Sequence, residues 1–73
     1  MNGYSDFPVY QIRVRGHIDQ RWLLWFEGLQ VLQDPNGETE LSGHMDQSAL
    51  HGYLIRIRDL GLELITVQVV KKV

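Results

Sequence analysis

Hydrophobic and polar residues alternate along four stretches of the chain and recur at helical spacing along two others. Alternation is typical of a strand with one buried face, and a period of three to four residues is typical of an amphipathic helix. In chain order, the predicted elements are a strand at 10–16, a helix at 20–27, strands at 29–34 and 38–45, a helix at 47–60 and a strand at 62–71. The pattern therefore predicts the order β-α-β-β-α-β.

The same periods predict which side chains form the core. In the first strand, Tyr10, Ile12 and Val14 would point to one face of the sheet. The other predicted core positions are Trp22, Trp25, Phe26 and Leu29 in the first helix, Thr39 and Leu41 in the third strand, Leu50, Tyr53, Leu54, Ile57 and Leu60 in the second helix, and Ile65, Val67 and Val69 in the last strand. We expect one hydrophobic core between the sheet and the helices.

A five-residue phrase occurs twice and divides the chain into two similar halves. Gly-His-Ile-Asp-Gln at 16–20 returns as Gly-His-Met-Asp-Gln at 43–47, each time between a predicted strand and a predicted helix. Each helix is followed by Gly-Leu, at 28–29 and at 61–62. The chain therefore reads as two strand–helix–strand units.

The repeated phrase has a structural interpretation. Asp19 and Asp46 are predicted helix N-caps, whose carboxylates accept hydrogen bonds from backbone N–H groups of the first turn. Gly28 and Gly61 are predicted C-cap glycines, in the left-handed conformation that often follows a helix.

This order, with right-handed crossovers, predicts an α+β, ferredoxin-like two-layer sandwich. The four-stranded antiparallel sheet would have the order 4-1-3-2, with both helices on one face. We expect a single domain at 10–73, preceded by a flexible arm at 1–9 that contains Gly, Ser, Asp and Pro without a period.

Composition limits the classes of function. The chain has 73 residues, no cysteine, and a net charge of −2 from 7 basic and 9 acidic residues. This balance gives no reason to expect nucleic acid, and the absence of cysteine excludes a disulfide or a thiolate zinc site. No apolar run is long enough to span a membrane, so we expect a cytoplasmic protein. The core is small for a domain that has no disulfide or structural metal to stabilise it, and this favours self-association.

The histidines are the most obvious candidates for chemistry. His17 and His44 each stand two residues before a capping aspartate, and His51 follows on the second helix. If the first and third strands are antiparallel neighbours, the two His-x-Asp phrases lie about 20 Å apart. We therefore predict no metal, no cofactor and no catalytic residue, and interpret the histidines as exposed residues beside helix caps.

Two arginines on the outward face of the first predicted strand could contact the phosphates of a nucleic acid. Arg13 and Arg15 are not accompanied by the outward aromatic side chains that stack bases on such a sheet. Glu38 and Glu40 on the third strand are better explained as their cross-strand ion-pair partners.

Three stretches carry a resemblance to a known family. They are Tyr-Gln-Ile-Arg-Val-Arg-Gly-His-Ile-Asp from residue 10, Arg-Trp-Leu-Leu-Trp-Phe-Glu-Gly-Leu from residue 21, and Asp-Gln-Ser-Ala-Leu-His-Gly-Tyr-Leu-Ile-Arg-Ile-Arg-Asp-Leu-Gly-Leu from residue 46. Together they resemble a family of small, uncharacterised prokaryotic proteins over 10–67. The resemblance implies a stand-alone domain and no activity. The element order is also similar to ACT-type regulatory domains, by analogy of fold only.

The function expected from the sequence is a small, non-enzymatic, self-associating interaction module. The alternative is an ACT-like domain with a small molecule at a subunit interface, and a third reading is a small dimeric α+β-barrel enzyme that uses His17 or His44. We expect a homodimer or higher symmetric oligomer, because the last strand is a long, β-branched edge. The residues predicted at the interface are Leu24, Ile55, Thr66 and Gln68.

Overall fold

The computed structural model describes residues 7–71 and has six regular elements. They are β1 (Val9–Arg15), a 3-10 helix (Gln20–Phe26), β2 (Gln30–Gln33), β3 (Glu38–His44), α1 (Gln47–Asp59) and β4 (Glu63–Lys71). The predicted α+β class is confirmed, and the predicted bounds of every element lie within one residue of those observed.

The four strands form one antiparallel sheet in the order β2-β3-β1-β4. Read from the β4 edge, the neighbours are 4-1-3-2, as expected from the sequence. β1 and β3 are central, and β2 and β4 are the two edges. Val9, at the start of β1, lies opposite Lys71, at the end of β4, so the two ends of the described chain are adjacent.

The core lies between the two helices and one face of the sheet. Ile12, Val14 and Leu41 of the central strands are fully buried, and Phe26 of the 3-10 helix packs against them. The Phe26 ring stacks on that of Tyr53 in α1, with ring centroids 6.1 Å apart. The other buried core residues are Ile18, Met45, Leu50 and Ile57.

The first helix is a 3-10 helix and not the α-helix that the repeat predicts. Its backbone bonds join residues three apart: Trp22 N donates to Asp19 O at 2.9 Å, and Glu27 N donates to Leu24 O at 3.2 Å. The connection from β1 to β2 is shorter than that from β3 to β4. Seven residues reach about 14 Å as a 3-10 helix but only about 10 Å as an α-helix. The tighter helix thus helps the shorter connection to cross the sheet.

The predicted core stripe of the first helix is wrong at Trp25. Side chains three residues apart eclipse one another in a 3-10 helix, so Trp25 lies over Trp22. Their ring centroids are 5.1 Å apart, edge to face. Trp25 remains 38% exposed and Trp22 is partly buried, whereas Phe26 is 1% exposed. Phe26 is therefore the one fully buried aromatic anchor of this helix.

β4 contains two bulges, so the strict alternation expected along it is also wrong. β1 residues Arg13 and Val14 lie opposite Thr66 and Leu64, which leaves Ile65 as an extra residue. A second irregularity leaves Val70 without a partner opposite, between Val69 and Lys71. Only the run between the bulges pairs regularly with β1.

The two strand–helix–strand halves pack against each other through reciprocal glycine–leucine contacts. A Cβ atom on Gly16 would lie 3.3 Å from Leu62 Cδ2, and one on Gly43 would lie 2.8 Å from Leu29 Cδ2. Each repeated phrase therefore provides the glycine against which the leucine of the other half packs. Gly16 also has φ of 104°, which favours glycine on backbone grounds alone.

The N-terminal boundary of the domain lies earlier than predicted. Met45 N donates to Pro8 O at 3.0 Å, and Val9 is already part of β1. Of the predicted arm at 1–9, the last three residues are thus attached to the sheet. Residues 1–6, as well as 72–73, lie outside the part of the chain that the structure describes.

Replacing Gly52 by alanine should stabilise the protein. Gly52 lies inside α1, and a Cβ atom there would meet nothing within 4 Å, so no close packing requires glycine. We expect Gly52→Ala to raise the free energy of unfolding by about 0.5–1 kcal/mol, because alanine loses less backbone entropy in a helix. Urea unfolding measures it. Gly43→Ala is the matched control and should destabilise, since its Cβ would press on Leu29. A Gly43→Ala variant as stable as Gly52→Ala would contradict the packing described above.

Candidate interaction surface

The two aspartates of the repeated phrase are helix caps in the structure. Asp46 Oδ1 accepts from Ala49 N at 2.8 Å at the start of α1. Asp19 Oδ1 accepts from Arg21 N at 3.0 Å, one residue earlier in the turn, because the helix it caps is a 3-10 helix. Both carboxylates thus hold backbone donors that the helix itself leaves free.

The glycines that follow the helices have the expected left-handed conformation. Gly28 has φ of 93° and Gly61 has φ of 74°. At the end of α1, Leu62 N donates to Ile57 O at 3.2 Å, and Gly61 N donates to Arg58 O at 3.0 Å. This pair of bonds is a Schellman motif, which satisfies the last carbonyl groups of the helix.

Removing either capping carboxylate should destabilise the fold. We expect Asp19→Ala and Asp46→Ala each to lower the free energy of unfolding by about 1 kcal/mol, because a first-turn N–H loses its acceptor. Denaturant titration of both variants measures it. Asp59→Ala is a control, because Asp59 lies at the other end of α1. Unfolding curves that superimpose on the parent's for both cap variants would exclude the capping role.

The histidine rings are bound to backbone carbonyl groups. His17 Nε2 donates to Asp34 O at 2.9 Å, and His44 Nδ1 donates to Phe7 O at 2.7 Å, since a carbonyl oxygen only accepts. His44 pairs with the start of β1, and His17 follows its end, so the two rings lie at opposite ends of the sheet. Within residues 7–71, no group of three or more His, Asp or Glu side chains is placed to hold a metal ion.

Metal ions should leave the protein unchanged. We expect EDTA and stoichiometric zinc or nickel to have no effect on the melting temperature, because His17 and His44 are held apart at opposite ends of β1. Differential scanning fluorimetry with each ion measures it. A rise of several degrees with zinc, lost in His44→Ala, would overturn this expectation.

The sheet face away from the helices carries an ion-pair cluster around Arg13. Arg13 Nη1 donates to Glu38 Oε1 at 3.1 Å, and Arg13 Nη2 donates to Glu40 Oε1 at 2.9 Å. Asp34 approaches the same guanidinium group at 3.8 Å. Arg15 instead pairs with Glu63 on β4 at 3.2 Å. The predicted pairing with Glu38 and Glu40 is thus confirmed for Arg13, whereas Arg15 has the unpredicted partner Glu63. Both arginines are paired with carboxylates, so together they offer no free basic patch.

The four residues predicted at an interface do not form one surface. Leu24 and Ile55 lie on the helix layer and are 77% and 50% exposed. Thr66 and Gln68 lie opposite Arg13 and Gln11 of β1, on the open face of the sheet. The Gln68 side chain also donates to Gln11 Oε1 at 2.6 Å. A single interface would therefore contain either Leu24 and Ile55 or Thr66 and Gln68.

The exposed apolar residues of β4 were missed by the sequence analysis. Leu64, Val69 and Val70 are exposed along the outer strand. A regular alternation assigned Val69 to the core and gave Leu64 and Val70 no role. The adjacent apolar pairs Leu64–Ile65 and Val69–Val70 break the alternation, and they are the sequence signal of the two bulges.

A shallow groove of about 390 Å³ lies on the helix layer, lined by Leu24, Trp25, Arg56 and Asp59. Arg56 Nη1 donates to Trp25 O at 2.7 Å, and its guanidinium group lies 5.6 Å from the centre of the Tyr53 ring. The hydrogen bond to Trp25 O ties α1 to the 3-10 helix. The groove therefore has a charged group, an aromatic ring and an apolar side chain in one place.

A family model, Domain of unknown function (DUF8691), matches residues 9–68, which include all six elements except the end of β4. The chain belongs to this family. The expected membership of an uncharacterised family is thus confirmed. No curated protein and no solved structure matches the chain. No helix in the described part of the DUF8691 domain is long and apolar enough to cross a membrane.

The two edges of the DUF8691 sheet differ in length and composition. β2 has four residues and contributes one exposed apolar side chain, Leu32. β4 has nine residues and contributes the three noted above. Neither edge pairs with a further strand within residues 7–71. β4 is therefore the longer and more apolar of the two free edges.

Proposed function

We propose that this domain is a non-enzymatic self-association module that forms a homodimer through the outer edge of β4. The observation that carries the proposal is the nine-residue edge strand with Leu64, Val69 and Val70 exposed. An edge of this length presents a row of unpaired N–H and C=O groups, which proteins pair, cover or charge. Pairing with a second copy satisfies them and buries the apolar side chains.

The bulges in β4 bear on this proposal in two ways. Bulges twist an edge and are one means by which proteins prevent edge-to-edge pairing. Here they leave Thr66–Val69 as a regular run between them, and the strand carries a charged residue only at each end, Glu63 and Lys71. The centre of the edge thus lacks the charges that would oppose a partner strand.

Light scattering after size exclusion tests the proposal directly. We expect twice the chain mass of 8.5 kDa at micromolar concentration, and a mass near 8.5 kDa at high micromolar concentration would overturn it. Val70→Lys should weaken the dimer, because it places a charge in the proposed interface at the outer edge of β4. Leu32→Lys is the matched control on the other edge, since both side chains are about half exposed.

Two further variants locate the seam. Thr66→Pro should split the dimer, because proline removes a backbone donor from the edge strand, and its melting temperature must be followed alongside. Leu24→Lys changes the helix layer and should leave the dimer intact. Loss of the dimer in Leu24→Lys but not in Val70→Lys would move the seam to Leu24 and Ile55.

The second candidate is an ACT-like domain that binds a small molecule. The groove lined by Trp25, Arg56 and Asp59 favours it, because it combines an aromatic ring with charges of both signs. A thermal-shift screen of amino acids tests it, with Arg56→Ala as the variant that should lose the response. We also propose a ferredoxin-like classification, which the element order and the order of the strands in the sheet support. The prokaryotic, cytoplasmic setting stays a prediction from the sequence.

The enzyme reading is the least supported. It requires His17 or His44 as an acid–base group, and each ring is already bound to a backbone carbonyl oxygen. A hydrolase screen in which His17→Ala and His44→Ala abolish an activity would be needed to revive it.

A further inference from the structure

β4 has the same order of side-chain types when it is read in either direction. From Glu63 to Lys71 the types are acid, apolar, apolar, polar, apolar, polar, apolar, apolar and base, and Val67 is the centre. The two bulges follow the same symmetry. The pair 64–65 and the pair 69–70 are equally far from Val67, and each pair lies opposite a single residue of β1.

The faces of the strand agree with this symmetry. Directly opposite residues of an antiparallel pair share one face of the sheet. By the register with β1, Glu63, Thr66, Gln68 and Lys71 all lie on the open face, opposite Arg15, Arg13, Gln11 and Val9. Their positions are symmetric about Val67, which lies opposite the core residue Ile12. Without the bulges, the two charged ends would fall on the other face.

We infer that two copies pair β4 with β4 in antiparallel register about a two-fold axis at Val67. This inference rests on the self-association proposed above and adds its register. The pairs are then Val67 with itself, Thr66 with Gln68 of the second copy, and Glu63 with Lys71 of the second copy. Both sheets continue as one, with both helix layers on the same side.

Other registers lose these matches. A slip of one residue would place side chains on the wrong face. A slip of two residues would set Lys71 opposite Gly61 or Ile65 of the second copy, and the Glu63 and Lys71 charges would then face no opposite charge. In the register centred on Val67, Glu63 of each copy lies opposite Lys71 of the other. Apolar residues then pair with apolar residues, and polar residues with polar residues.

Charge reversal at Glu63 and at Lys71 tests the register at the two ends of the β4–β4 pair. Glu63→Lys and Lys71→Glu should each weaken the homodimer by about tenfold or more, because two opposite-charge pairs become like-charge pairs. Glu63→Lys also loses the Arg15 ion pair within the chain, so its stability is measured separately. An equimolar mixture of the two variants should form heterodimers preferentially, and the double variant should recover the parent's dimer affinity.

A cysteine at the axis tests the centre of the register. The natural chain has no cysteine, so Val67→Cys introduces a single thiol. Opposite Cα atoms in an antiparallel pair lie about 4.5–5.5 Å apart, within the span of a disulfide bond. Val67→Cys should therefore cross-link to a covalent dimer under mild oxidation. In Val69→Cys the two thiols would be four residues apart along the strands, about 13 Å, and should not cross-link.

The outcomes distinguish failure of the register centred on Val67 from failure of the proposed self-association. A parent protein that is monomeric overturns both. A dimeric parent in which Val69→Cys cross-links and Val67→Cys does not overturns the register alone. A dimeric parent whose Glu63→Lys and Lys71→Glu variants show no preference for each other overturns the register as well.

Discussion

Replacing Phe26 by alanine is expected to lower the free energy of unfolding by about 3–5 kcal/mol, the usual cost of removing a buried aromatic ring. Phe26 is 1% exposed and stacks on Tyr53 in α1. It is the one fully buried residue of the 3-10 helix. A 73-residue chain has a small margin of stability, so the variant should be largely unfolded at 37 °C. Circular dichroism during thermal unfolding measures this.

Trp25→Ala is the matched control for Phe26→Ala. The two residues are neighbours on the same helix, and a helical stripe read from the sequence places both in the core. Trp25 is instead 38% exposed and packs on Trp22. We expect its removal to cost about 1 kcal/mol, the value of an aromatic pair with partial burial. Equal losses for the two variants would restore the α-helical stripe and contradict the 3-10 helix.

The second large effect is expected at the end of α1. Gly61→Val should lower the free energy of unfolding by about 2 kcal/mol, because a β-branched residue resists the left-handed conformation. A Cβ atom at Gly61 would meet nothing within 4 Å, so the loss would come from the backbone and not from a clash. Urea unfolding of the variant measures it.

Gly61→Asn separates the backbone effect from other causes. Asparagine enters the left-handed region more readily than valine, so this variant should lose clearly less stability. Gly61 has φ of 74°, within that region. If valine and asparagine were tolerated equally, the Schellman motif would not be what ends α1 in solution.

The elements that could be predicted from the sequence depend on local signals. The turn between β2 and β3 is an example: Pro35 and Asn36 predict it, and Gly37 N donates to Asp34 O at 3.0 Å. Asp46 and Gly61 set the ends of α1 for the same kind of reason. Each signal involves only four or five consecutive residues, so it can be recognised in the sequence alone.

The elements that were missed depend on distances across the fold. The 3-10 helix arises in a connection that must cross the sheet with fewer residues, and its phrase is otherwise the same as the one that begins α1. The bulges at Ile65 and Val70 arise from how β4 pairs with β1. The exposed apolar pairs of β4 lie at those bulges, so alternation alone gave Leu64 and Val70 no role.

The pairing of Val9 with Lys71 means that the order of the two halves along the chain is arbitrary. A circular permutant that joins the ends near these residues and opens the chain at the Asp34–Gly37 turn would begin with β3 and finish with β2. Its elements would again follow the order β-α-β-β-α-β, in the same sheet. The reciprocal contacts of Gly16 with Leu62 and of Gly43 with Leu29 would simply exchange their places in the chain. A gene that encodes the halves in reverse order should therefore produce the same domain.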